Sequence, residues 1–225
     1  SSDDFQTFYL EEQIESGKYF GHDDNDFILI AHASSLQIAK DHGVYVLDEQ
    51  VYQDQNSFKT FKCKFVLQKP SIEKMLDLDI VLQHESDPNR QFAYTDSIFY
   101  FSHRLTKDLI KFHSSYFDII NENKIEIDAY RDFLQPLGTK PLNFDEFLKS
   151  IKKSKCEEIE IDILKKVYNL FLNRKSLIIA LSDSNFFHLG TINELFDSYL
   201  NQTREDCIYM RNSLDFQPFK LSKTS

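Results

Sequence analysis

The hydrophobic pattern alternates along the chain between a period of two and a period near three and a half. "DFILIAH" (Asp26–His32) predicts a strand that ends in a small-residue loop, "ASSLQIAK". In "HGVYVLD", Val44 and Val46 alternate with Tyr45 and Leu47, so both faces are apolar and the strand should be buried on both sides. "FKTFKCKFVLQ" alternates strictly, predicting Phe61, Cys63 and Phe65 on one face and Lys62 and Lys64 on the other. Pro70 then stops the strand, and Ser71 is placed to N-cap a short helix.

Further on, the polar run Glu85–Gln91 predicts a loop. "YTDSIFYFS" predicts the next strand, followed by an amphipathic helix over about Thr106–Phe117. A second helix should carry "EIDAYRDFLQ" and stop at Gly138. The segment Asn143–Leu172 reads as helix-rich, with Ile159, Ile163, Val167, Leu170 and Phe171 forming one apolar stripe that would lie on the outside of a sheet. "SLIIAL" and "FFHLG" predict two more strands, and Thr191-x-x-Glu194 is a capping box opening a last helix. Strands alternating with helices imply an α/β fold with a mixed sheet.

Composition narrows the class. The 225 residues include 41% apolar and 28% charged positions, with 21 Phe and only five Gly and five Pro, an ordinary globular chain of one-domain size. Net charge is −10 with no long basic block, which argues against a nucleic-acid surface, because such a surface needs a basic field to displace counterions. Phosphate-bearing partners stay open to an acidic protein if Mg²⁺ and local lysines do the neutralising. The three cysteines (Cys63, Cys156 and Cys207) show no metal-ligand spacing, and reduced thiols in a cytoplasmic protein are the expectation. No apolar run is long enough to span a bilayer, so no membrane partner is expected.

Six segments taken in order resemble the GDP-fucose pyrophosphorylase family of sugar-phosphate nucleotidyltransferases. They are "SSDD", "AHASSLQIAKDHGVYVLD", "FVLQKPSIEKM", "YTDSIFYF", "EIDAYRDFLQPLG" and "NFFHLGTINEL", together covering roughly Ser1 to Tyr199. The resemblance implies a Rossmann-like mixed-sheet nucleotidyltransferase (GT-A-like) domain over residues 1–200, with 201–225 a connection toward a C-terminal left-handed β-helix. It implies transfer of GMP from GTP to L-fucose 1-phosphate with Mg²⁺ as cofactor. The family's Gly-rich phosphate loop has no counterpart here, since no Gly-Gly or Gly-x-Gly occurs; the expectation is that this stretch alone does not catalyse.

The same resemblance assigns roles. Asp3 and Asp4 match the family's metal-binding Asp-Asp, Asp3 being the better match, and Asp128 matches the carboxylate facing it across the site. The bland alternatives are a solvated acidic terminus and a helix N-terminus that favours acids through the macrodipole. Lys69 matches the Lys of the superfamily's Glu-Lys-Pro motif, where it contacts phosphate oxygens. Gln68 stands where that motif has Glu, which puts the sugar contact there in doubt. Gly43 matches a position beside the ligand, Asp96 and Ser97 match a polar pair that binds sugar hydroxyls, and Glu126, close to Asp128, could accept hydrogen bonds from sugar hydroxyls. His32 and His42 read as packed histidines, and Thr191 as a helix cap. The alternatives are a domain within a bifunctional fucokinase enzyme, although "KPSIEKM" and "FHLGT" look closer to the stand-alone type, a non-catalytic sugar-nucleotide-binding relative, against which the retained Asp3, Asp4, Asp128 and Lys69 speak, or an enzyme for another sugar.

Overall fold

A computed structural model describes residues 4–8, 25–53, 58–84, 87–151, 157–181 and 184–188, with the backbone alone at 4–8, 52–53, 88, 97 and 184–188. The chain divides into two compact units, Ser1–Thr7 with Asn185–Ser225 and Phe8–Ser184. In the first, strands β1 (Asp4–Phe8) and β8 (Ser184–His188) pair as a two-stranded sheet.

The larger unit is an α/β domain on a six-stranded mixed sheet. Its strands are β2 (Phe27–Ser35), β3 (Gly43–Gln53), β4 (Phe58–Gln68), β5 (Leu82–His84), β6 (Asp87–Phe101) and β7 (Ser176–Leu181), in the order β2-β7-β4-β3-β6-β5. Only the β2–β7 ladder is parallel among these pairings. On its other side β2 pairs with β6, so Thr95 stands opposite His32 on one flank and Val44 on the other.

Because side chains alternate across a pleated strand, β3 feeds two cores. Tyr45 joins Phe27, Leu29, Cys63, Val66 and Ile178 beneath helices α3 (His103–Glu122) and α5 (Glu158–Phe171), which contribute Leu105, Val167 and Phe171. Val44 and Val46, on the opposite face, join Leu67, Ala93 and Met75 of helix α2 (Ile72–Asp77). The strand is buried on both sides, as its double apolar pattern implies. On α5, Val167 and Phe171 face the sheet and Ile163 is buried, while Leu164 and Tyr168 reach round to Phe147 of α4 (Phe144–Ser150). Ile159 at the start of the stripe is largely exposed.

Several local expectations change. Of the expected loop Glu85–Gln91, Asp87–Gln91 belongs to β6 and the first two residues lie outside the described ones; backbone pairing of Leu82 with Phe92 and Gln83 with Gln91 outweighs the polar composition. "ASSLQIAK" is not a loop either, since β2 runs on to Ser35 and the short helix α1 (Leu36–Ala39) follows. Phe65 faces away from Cys63. Val46 pairs with Phe65 and Leu47 with Cys63, leaving Lys64 as an extra residue that inverts the alternation, a β-bulge. The bulge leaves the Cys63 and Lys64 carbonyls to the Thr139 and Lys140 amides (2.9 and 2.8 Å). The helix over "EIDAYRDFLQ" shrinks to a single π turn, Ala129–Phe133.

Other boundaries hold or lengthen. Ser71 caps α2, accepting from the Lys74 amide at 3.1 Å. Ser102 caps α3 three residues before the expected start, accepting from Leu105 N at 3.1 Å. The Thr191 capping box lies outside the described residues.

Candidate functional site

Four sequence-marked positions meet where β3 begins and β4 ends. Gly43 pairs with Gln68, and the next residue's amide, Lys69 N, donates to the His42 carbonyl at 3.0 Å. From β6, the Asp96 carboxylate enters the same corner and accepts from the Gly43 amide through Oδ1 at 2.9 Å. Ser97 follows Asp96 in β6, and its side chain lies outside the described residues.

This contact explains the glycine. A Cβ built on Gly43 would stand 2.2 Å from Asp96 Oδ2 and 3.2 Å from Gln68 Oε1, so any side chain would displace a buried carboxylate. Close approach is required at Gly43, and in the structure it is Asp96 that approaches.

Lys69 sits at φ 47°, the left-handed region that non-glycine residues avoid. Three other such residues, Asp79, Lys124 and Asn173, lie just beyond helices, where the αL turn closes the helix end. Lys69 instead leaves a strand, and its side chain is exposed without an ion pair among the described residues. The backbone therefore holds a flexible cation at the lip of the Gly43–Asp96 corner. Tyr45 lies two residues along β3 on the Gly43 face, 2% exposed, and its hydroxyl has no hydrogen-bond partner among the described residues. Burial, reinforced by the Asp96 charge, pushes its pKa well above the ordinary phenol value. Gln68 Oε1 is also buried without a partner among the described residues.

Asp128 caps the π turn, its Oδ1 accepting from the Tyr130 and Arg131 amides at 2.9 and 3.2 Å. Those bonds account for the residue as a cap, yet they use one oxygen only. Mg²⁺ prefers hard oxygen ligands and takes one or two protein carboxylates, completing its shell with water and phosphate, so a capping carboxylate with its second oxygen uncommitted fits that ion. Glu126 is exposed. Among the described residues no three His, Cys, Asp or Glu side chains converge as a metal cage. Asp3 lies outside the described residues, and Asp4 opens β1 with only its backbone described.

Asp132, unmarked in the sequence reading, is fully buried, accepting from the Asp128 amide at 2.8 Å and pairing with Arg131. It fixes the turn that presents Asp128. The signal for Tyr45 was its place in a strand buried on both faces, where a phenol needs a partner for its hydroxyl. His32 is buried, and desolvation lowers its pKa to about 4, so it is a neutral packed residue near pH 7. Burial pushes the Cys63 thiol up to about 12, which leaves it without nucleophilic character.

Among the described residues no helix is long and apolar enough to cross a membrane. The sequence model of the fucose pyrophosphorylase domain matches residues 1–225. A Mus musculus protein named fucose-1-phosphate guanylyltransferase is 30% identical over 196 residues, 80% of this chain and 32% of the relative. A Homo sapiens protein of the same name is 31% identical over 208 residues, 86% of this chain and 33% of the relative. The chain thus spans about a third of the length of these relatives. With its whole length matched and its glycine, lysine and buried aspartate drawn to one corner of the sheet, the chain belongs to the fucose pyrophosphorylase domain family.

Proposed function

We propose that this chain is the later part of a Rossmann-like, GT-A-like nucleotidyltransferase domain, and that the protein carrying it joins GTP and L-fucose 1-phosphate into GDP-L-fucose and pyrophosphate. The match of the entire chain to the fucose pyrophosphorylase domain carries the reading. In the reaction a phosphate oxygen of the sugar phosphate attacks the α-phosphorus of GTP. The bond from that phosphorus to the oxygen bridging to the β-phosphorus breaks, and pyrophosphate leaves with the bonding electrons.

Two anions must meet, so alignment and neutralisation carry most of the catalysis. Lys69 is the cation for the sugar phosphate, an ammonium on a reaching stem held at the corner's lip. Gly43, Asp96 and Ser97 form the sugar end, Asp96 accepting from ring hydroxyls once its grip on the Gly43 amide is shared. Glu126, exposed before the π turn, is a further acceptor for a sugar hydroxyl. Asp3, Asp4 and Asp128 are the residues that would hold Mg²⁺, which when bound supplies charge neutralisation at the phosphates. Asp132 keeps the Asp128 turn in shape.

The reverse reaction tests this reading. The complete protein should convert GDP-L-fucose and pyrophosphate into GTP and fucose 1-phosphate. A folded protein that forms no GTP, at any divalent cation concentration, would overturn it.

A further inference from the structure

We propose that Tyr45 is a specificity-determining residue whose hydroxyl hydrogen-bonds the sugar of the bound substrate, deep to Lys69; the proposal rests on the function proposed above. Among the described residues two side-chain polar atoms are buried without a partner, Tyr45 Oη and Gln68 Oε1. A buried polar atom left unpaired is costly, and two on one face of paired strands mark a place where a partner is to arrive.

Their placement is consistent. Gly43 and Tyr45 share a face of β3, and Gln68 is the cross-strand partner of Gly43. Asp96 Oδ2 and Gln68 Oε1 both crowd the point where a Gly43 side chain would begin. Gln68 Oε1 and the Tyr45 hydroxyl thus belong to the face of the sheet on which Gly43 gives way to Asp96. Acceptors call for donors. A phosphate offers none when ionised, whereas a sugar ring offers several hydroxyls, each able to donate to Gln68 or to exchange a bond with Tyr45. The exposed ammonium of Lys69 at the lip suits the phosphate of the same molecule, so a sugar phosphate would enter ring first.

Tyr45→Phe removes one oxygen and keeps the ring packed among Cys63 and Val66. In the complete protein this variant should melt at or above the wild-type temperature, because no described residue partners the hydroxyl. Its KM for L-fucose 1-phosphate should rise roughly tenfold, as for loss of one hydrogen bond to a ligand, with KM for GTP unchanged. An unchanged KM for the sugar phosphate overturns the proposal while leaving the function intact, and with a lowered melting temperature it points to a buried water as the partner. Absence of turnover in the wild type overturns the function, and the assignment of Tyr45 with it.

Discussion

At Gly43 a single missing methyl group decides whether Asp96 stays where it is. The backbone there does not need left-handed φ; the space is what matters, with Asp96 Oδ2 occupying the Cβ position to within 2.2 Å. Gly43→Ala is therefore expected to cost about 1–3 kcal/mol, the range for overpacking a tight site. Asp96→Ala removes the obstacle, so the double variant should recover part of that loss. Denaturant titration of the four proteins checks this, and strictly additive losses would mean that the two side chains do not compete for the gap. Lys69 makes the opposite case, a residue that local energetics disfavour. Lys69→Gly should raise stability by up to about 1 kcal/mol by relieving the left-handed backbone, yet raise KM for the sugar phosphate. Stability gained with kinetics untouched would make Lys69 an ordinary surface residue. Gly43, Lys69 and Asp96 were visible in the sequence through their motifs. The bond between Gly43 and Asp96 was not, because it joins strands 53 positions apart, and no local pattern encodes a pairing at that distance.

Among the elements, the bulge in β4 shows how one extra residue reshapes its surroundings. It turns Cys63 and Phe65 to opposite faces and frees two carbonyls, which the 139–140 segment satisfies only because Gly138 passes against Lys64. At φ 113° and with a Cβ position 2.3 Å from the Lys64 carbonyl oxygen, Gly138 admits no side chain. Gly138→Ala should cost about 1–3 kcal/mol. Amide exchange should speed up at Thr139 and Lys140 while α5 stays protected; unchanged exchange at both amides would contradict the bridging role. The sequence suggested Gly138 as a helix stop, and it does follow a short helical turn, but its partner strand was invisible. Strands buried on both faces and helix caps such as Ser71 were legible, since period and capping chemistry are local. The β5–β6 hairpin was not, because backbone pairing rather than composition makes it.

For the molecule as a whole, buried His32 links folding to pH. Its pKa is about 4 in the folded protein against about 6.5 unfolded. Between those values the unfolded chain binds the extra proton, so stability falls as pH drops through the window and levels off below pH 4. The His32 contribution amounts to about 2 kcal/mol between pH 7 and pH 5. Comparing the wild type with His32→Gln by chemical denaturation at both pH values isolates it; equal slopes for the two proteins would contradict a neutral buried imidazole. The same scale holds the functional claim. Family membership and the Gly43–Lys69–Asp96 corner describe this chain, while the proposed catalysis is to be tested on the complete protein.

The most direct test is pyrophosphate release by that protein with GTP and Mg²⁺, comparing L-fucose 1-phosphate with mannose 1-phosphate and GTP with other nucleotides. Release that is fast with L-fucose 1-phosphate and GTP and slow with every other pair is the predicted result. Equal or faster release with another sugar phosphate, or none with any pair from a folded protein, would contradict the account.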